Sequence, residues 1–261
     1  MLKYEMKRAF GKNFWIALLI GVISGLGGIV SYLLDCQYLP AESVSCYDAW
    51  LYCLSVGEGS FFRAVFPIII CLPYIFTFYT DQQSTFIYFL LSRINYKKYL
   101  IYKCVSGGIS AVTLILSTNA IWLIVVFFLF PTNMPDTILN LQMGGAYSWL
   151  YQSNPMRYIG IQIWFGILFT VAYYFVSVFF VFMSKKKWQT AALPIFAYFL
   201  LIFVAQFFDK IAMSPVTYLI PYEAPRLSVP GILLGDVLFL ALGVIGIFFN
   251  YNKRKEEVLW V

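Results

Sequence analysis

The sequence contains no histidine and very little charge: Asp, Glu, Lys and Arg make up 11% of its 261 residues, against about 25% in an ordinary soluble domain. Without imidazole the common zinc sites lose their usual nitrogen ligand. The five cysteines, at 36, 46, 53, 71 and 104, form no C-x-x-C pair that would replace it. No metal site is therefore expected. The phosphate-cradling G-x-x-x-x-G-K-[ST] pattern is missing, since Gly11-Lys12 lacks both the earlier glycine and the following hydroxyl residue. Neither G-x-S-x-G nor H-E-x-x-H occurs. A chain so short of acid–base groups in its apolar stretches fits an intramembrane enzyme poorly. It also has no nucleotide-hydrolysing machinery of that kind.

What the sequence has in quantity is apolar and aromatic surface, at 61% and 20%. The apolar residues come in runs of about 17 or more, enough to carry a helix across roughly 30 Å of hydrocarbon. The expected fold class is all-α: one polytopic transmembrane domain over 1–261, with six spans near 14–34, 63–80, 104–130, 158–183, 188–207 and 232–250. The net charge of +6 does not point to nucleic acid, because the bases sit in clusters between apolar runs rather than on one face. Fourteen of the 18 Lys and Arg residues fall at the amino terminus, between 93 and 103, at Lys185-Lys186-Lys187, or at Lys253-Arg254-Lys255. Lys and Arg are retained on the cytoplasmic side of membranes. That bias predicts a cell (plasma) membrane protein with both termini cytoplasmic.

Residues 1–13 read as an amphipathic interfacial helix, with Leu2, Met6, Ala9 and Phe10 on one side and Lys3, Lys7, Arg8 and Lys12 on the other. The run at 14–34 is too long for a signal-peptide core and no A-x-A site follows it, so it reads as the first span. Its Gly21, Gly25 and Gly28 make a small-residue stripe suited to close helix approach, within the chain or between copies. The acidic 35–62 segment is expected outside. Its aromatic 47–62 portion is expected half-sunk at the interface, and an oxidising exterior would allow a disulfide between Cys36 and Cys46. Pro67 and Pro73 predict bends in the second span. Asn119, mid-span, is expected to hydrogen-bond to a neighbouring helix, and Asp236 to be a hydrated anchor near the outer interface. The proline-rich 208–231 segment reads as re-entrant or surface-lying.

The stretch at 79–103, YTDQQSTFIYFLLSRINYKKYLIYK, is polar and basic yet full of aromatics. Asp81, Gln82, Gln83 and Ser84 look like a helix start, with acceptors where free amide N–H groups need them. Phe86, Phe89 and Leu90 follow at helical spacing and make a short apolar face. In order and placement, the amino-terminal helix, the six spans and this long segment between spans two and three resemble permease subunits of the ABC-type-2 exporter class of ABC transporters. The closest local similarity runs through Asp81-Gln82-Gln83-Ser84-Thr85, Leu90-Leu91-Ser92-Arg93 and Lys103, without the proline that often accompanies the arginine.

The resemblance implies that 82–91 is a coupling helix docking into a groove of a separate ATPase subunit. Asp81, Gln82, Phe86, Phe89, Leu90 and Arg93 would be the contact residues. It implies a permease that binds no cofactor itself, with ATP and Mg on the partner ATPase, and a second permease, identical or related, beside it in the lipid membrane. The substrate class it implies is a peptide, an antibiotic or another amphipathic compound. An alternative is a membrane scaffold or sensor whose 79–103 stretch binds a different cytoplasmic protein, since amphipathic surface helices serve many partners.

Overall fold

A computed structural model describes residues 1–38, 40–54, 59–83, 95–135, 146–210, 213–223 and 228–259. Among them the regular structure is helical, apart from one antiparallel bridge between Ser45 and Thr132. In chain order the α-helices are α1 (Leu2–Ala9), α2 (Lys12–Cys36), α3 (Cys46–Leu54), α4 (Phe62–Cys71), α5 (Ile75–Gln83) and α6 (Tyr96–Leu129). They continue with α7 (Trp149–Ser153), α8 (Pro155–Met183), α9 (Gln189–Phe207), α10 (Pro215–Leu219) and α11 (Val229–Leu259). Six helical stretches are long and apolar enough to cross a membrane: Lys12–Cys36, Phe62–Asp81, Tyr96–Leu129, Pro155–Met183, Gln189–Phe207 and Val229–Phe249. They overlap the six expected spans, and the architecture is that of a multi-pass membrane protein.

The bundle is apolar on its outside as well as in its core. Large apolar side chains face outward, among them Phe196, Phe203 and Phe207 on α9 and Leu234, Leu238 and Phe249 on α11. Hydroxyls are buried inside. Hydrocarbon offers them no partner, so they bond back to their own helices. Ser110 donates to the Gly107 carbonyl at 2.9 Å, Thr118 to Leu114 at 2.9 Å, Thr170 to Gly166 at 2.7 Å and Ser177 to Tyr173 at 2.9 Å.

The glycine stripe of α2 is spent within the chain. A Cβ on Gly25 would run into the Trp122 indole of α6, and one on Gly28 into the Tyr52 backbone of α3. Trp122 adds a hydrogen bond from Nε1 to the Val22 carbonyl at 3.0 Å. The second span bends as its prolines predict: α4 and α5 are separate helices, parted around Pro73. Pro67 stays inside α4, where it lacks the N–H that the Arg63 carbonyl would otherwise receive. The Tyr198 hydroxyl of α9 donates to that carbonyl instead, at 3.1 Å.

Several expectations change on contact with the structure. Within the 47–62 region, α3 is not half-sunk but buried along its length against α2, α4, α6 and α8. It is held by Tyr52 donating to Asp35 at 2.9 Å and by the Tyr151 hydroxyl donating to Asp48. Burial, and then the Asp48 carboxylate, push the Tyr151 phenol upward from its ordinary pKa. Cys36 and Cys46 are free thiols, the first half-buried and the second buried. The Asn119 amide does not reach a neighbouring helix. Its Nδ2 donates to Ile115, one turn back on α6, at 3.0 Å. Asp236 is 6% exposed and, among the described residues, neither carboxylate oxygen has a hydrogen-bond partner, so burial replaces the expected hydration. Within the 208–231 segment, α10 tucks against α8, α9 and α11, as a re-entrant piece would.

Candidate functional site

Hydrogen bonds and ring contacts gather the basic segments at one end of the bundle. Tyr79 on α5 donates to the Lys185 carbonyl at 2.8 Å. Tyr96 at the start of α6 stacks on Tyr251 of α11, with centroids 5.6 Å apart and planes 8° from parallel. Asn95 opens α6 by accepting from the Lys97 backbone N–H at 3.1 Å, which satisfies an amide the helix itself leaves free.

At this end four charged side chains from three helices meet. Asp81, in the last turn of α5, accepts a two-pronged hydrogen bond from Arg8 of α1, each arm 2.8 Å long. Lys103 of α6 places its Nζ 2.7 Å from Asp81 Oδ2 and donates to the Thr77 carbonyl at 3.1 Å. Tyr99 donates to the same Asp81 oxygen at 3.3 Å. Glu5, a single turn before Arg8 on α1, lies 3.5 Å from the guanidinium and accepts from the Tyr74 hydroxyl. Glu5 and Lys103 are wholly buried, Asp81 nearly so, and Arg8 alone reaches the surface.

Two cations against two anions leave the cluster neutral, the condition under which buried charge is tolerable at all. Aromatic faces contribute further: Lys103 Nζ stands 5.0 Å from the Tyr74 ring, 5.1 Å from Phe78 and 5.7 Å from Tyr99, within the range of cation–π attraction. The Asp81 hydrogen bonds hold the Arg8 pKa above its ordinary value, against the opposing pull of burial. Mechanically the cluster fastens three helices to one another. Among the described residues no His, Cys, Asp and Glu group could hold a metal ion.

The cluster closes both roots of the 84–94 segment, with Asp81 at one and Tyr99 and Lys103 at the other. Of the six residues expected to contact a partner, Asp81 is the one whose surroundings are described. It lies in the last turn of a helix, not at the start of one, and it faces inward. Gln82 lies in the same last turn, and nothing is described of its side chain. Phe86, Phe89, Leu90 and Arg93 lie outside the described residues, as does all but the start of the expected 82–91 helix. Sequence reasoning missed Glu5 and treated Arg8 as a surface base. The signal was present: Glu5 is the lone acid of a basic helix and shares the stripe of Leu2 and Ala9. α1 accordingly packs on α6, with Glu5 and Ala9 buried.

Compared with known protein families, curated proteins and solved structures, the chain matches none.

Proposed function

We propose that this chain is the membrane-spanning permease subunit of an ATP-driven exporter of the ABC-type-2 class, served by separate ATPase subunits that carry ATP and Mg. One observation supports this best: α1, the end of α5 and the start of α6 are fastened to one another at the root of the 84–94 segment by Arg8, Asp81 and Lys103. A segment rooted in that way can transmit a push. Force applied to 82–91 would not be absorbed by one helix end but passed to three helices as a body. The break around Pro73 between α4 and α5 offers a hinge between that body and the far half of the second span.

In this reading closure of the ATPase pair displaces 82–91 from the cytoplasmic side. The resulting tilt of α5 and α6 opens a path between this permease and a second one, identical or related, in the plasma membrane. Phe86, Phe89 and Leu90 anchor the segment in the ATPase groove and Arg93 pairs at its edge. The chain hydrolyses nothing itself. Its substrate would be a peptide, an antibiotic or a comparable amphipathic compound entering from the cytoplasm or inner leaflet.

The test is co-purification from solubilised native membranes. The native chain is expected to bring down a P-loop ATPase. The double variant Phe86→Asp with Phe89→Asp is expected to lose it while still inserting in the membrane. An ATPase retained by the variant, or a native chain that brings down a different soluble partner, overturns the reading.

A further inference from the structure

Away from the charge cluster, three buried side chains from three helices line one small cavity in the middle of the bundle. They are Trp50 of α3, Asn119 of α6 and Gln162 of α8, enclosed by apolar neighbours including Leu54, Phe62 and Leu219. Trp50 is 0%, Asn119 4% and Gln162 3% exposed. Among the described residues, four of their polar atoms complete no well-formed hydrogen bond: Trp50 Nε1, Asn119 Oδ1, and both Oε1 and Nε2 of Gln162. The Tyr158 hydroxyl, one turn from Gln162, makes a weak side-chain hydrogen bond with its amide. Buried polar groups are almost always satisfied, by protein or by ordered water, and in hydrocarbon the cost of leaving them unpaired is at its highest. Four such atoms around one space therefore ask for a guest.

The cavity's size and chemistry say which guest. It leaves about 10 Å³ for a water's centre, enough to seat a water and far below the roughly 300–1,000 Å³ of a small-molecule pocket. The lining offers N–H donors from Trp50 and Gln162 and carbonyl acceptors from Asn119 and Gln162. A water accepts two hydrogen bonds and donates two, so it complements that set. A metal cation would face N–H donors and no carboxylate among the lining residues.

We propose that Trp50, Asn119 and Gln162 form a binding site for a single ordered water molecule, which joins the buried α3 to the spans α6 and α8. The site stands apart from the permease reading and holds whether or not an ATPase docks at 82–91.

Two measurements test it. Gln162→Met and Asn119→Leu keep side-chain volume and remove the polar atoms. If water bridges the site, each variant leaves other groups unpaired and lowers the thermal unfolding midpoint in detergent by roughly 2–4 °C. If the site is dry, each removes an orphaned group and the midpoint rises, which overturns the proposal. Independently, the indole N–H resonance of Trp50, assigned by its loss in Trp50→Phe, is expected to show a magnetisation-transfer cross-peak to bound water. That cross-peak should vanish in Gln162→Met. A native protein without it, its indole bonded directly to a neighbouring amide, also overturns the proposal.

Discussion

Asp81 carries a load out of proportion to its size, because it is the anion on which two cations from two other helices converge. Replacing it with leucine leaves Arg8 and Lys103 with no facing carboxylate but Glu5, and only Arg8 can turn toward solvent, its side chain being 24% exposed. Breaking a buried pair from one side costs about 3–5 kcal/mol, so Asp81→Leu is expected to be the most destabilising single change in the cluster. Arg8→Gln is expected to cost less, since Lys103 still neutralises Asp81 and Glu5 keeps the Tyr74 hydroxyl. Removing the second charge along with the first should recover much of the loss: Asp81→Leu with Lys103→Met replaces a buried ion pair by apolar groups, which is often neutral or better. Thermal unfolding of the four proteins in one detergent checks the order. A double variant no more stable than Asp81→Leu would mean that the pair does not act as a unit. Little of this was legible in sequence. Asp81 and Lys103 are 22 positions apart across an aromatic, basic stretch, and each alone has an ordinary surface reading. Their partnership exists only once α5 and α6 run side by side.

At the scale of the element, the departure that Pro67 makes from regular helix is met by a neighbour. Pro67 deprives the Arg63 carbonyl of its donor, and the Tyr198 hydroxyl of α9 supplies one. The two features should therefore be coupled. Tyr198→Phe alone removes that donor and is expected to cost about 1–3 kcal/mol. In a Pro67→Ala background, where the backbone N–H is restored, the same change should cost less than half as much. A double-mutant cycle read by unfolding midpoints measures the difference, and additive effects would refute the coupling. The spans themselves were legible because the bilayer sets their length and hydropathy. The prolines of the second span were legible because a missing N–H is a local fact. α3 was not. Nine residues with an aromatic, mildly acidic composition look the same on a membrane surface as inside a bundle. Its burial depends on Gly28 of α2 letting the Tyr52 backbone come close, a pairing that the sequence displays as a stripe without naming its partner.

For the whole molecule, the question is which way round the bundle sits. Its two ends differ in character. One gathers the Arg8–Asp81–Lys103 cluster, the Lys185 turn and the Tyr96–Tyr251 stack. The other carries the bridge between Ser45 and Thr132 and the bond from Tyr52 to Asp35. These contacts tie sequence-distant basic segments together at one end, and by the positive-inside rule we propose that this end faces the cytoplasm. A pair of single substitutions examines the assignment. Tyr38, 88% exposed near the far end, and Lys186, in the exposed turn between α8 and α9, are each changed to cysteine. The five native thiols, buried or half-buried, provide the background. In intact cells a membrane-impermeant maleimide is expected to label Tyr38→Cys and to spare Lys186→Cys, which should react only after the membrane is opened. The reverse pattern would put the charge cluster outside, where no ATPase could reach the 84–94 segment, and would remove the exporter reading together with the orientation. Equal labelling in intact cells would deny that the two ends lie on opposite faces at all.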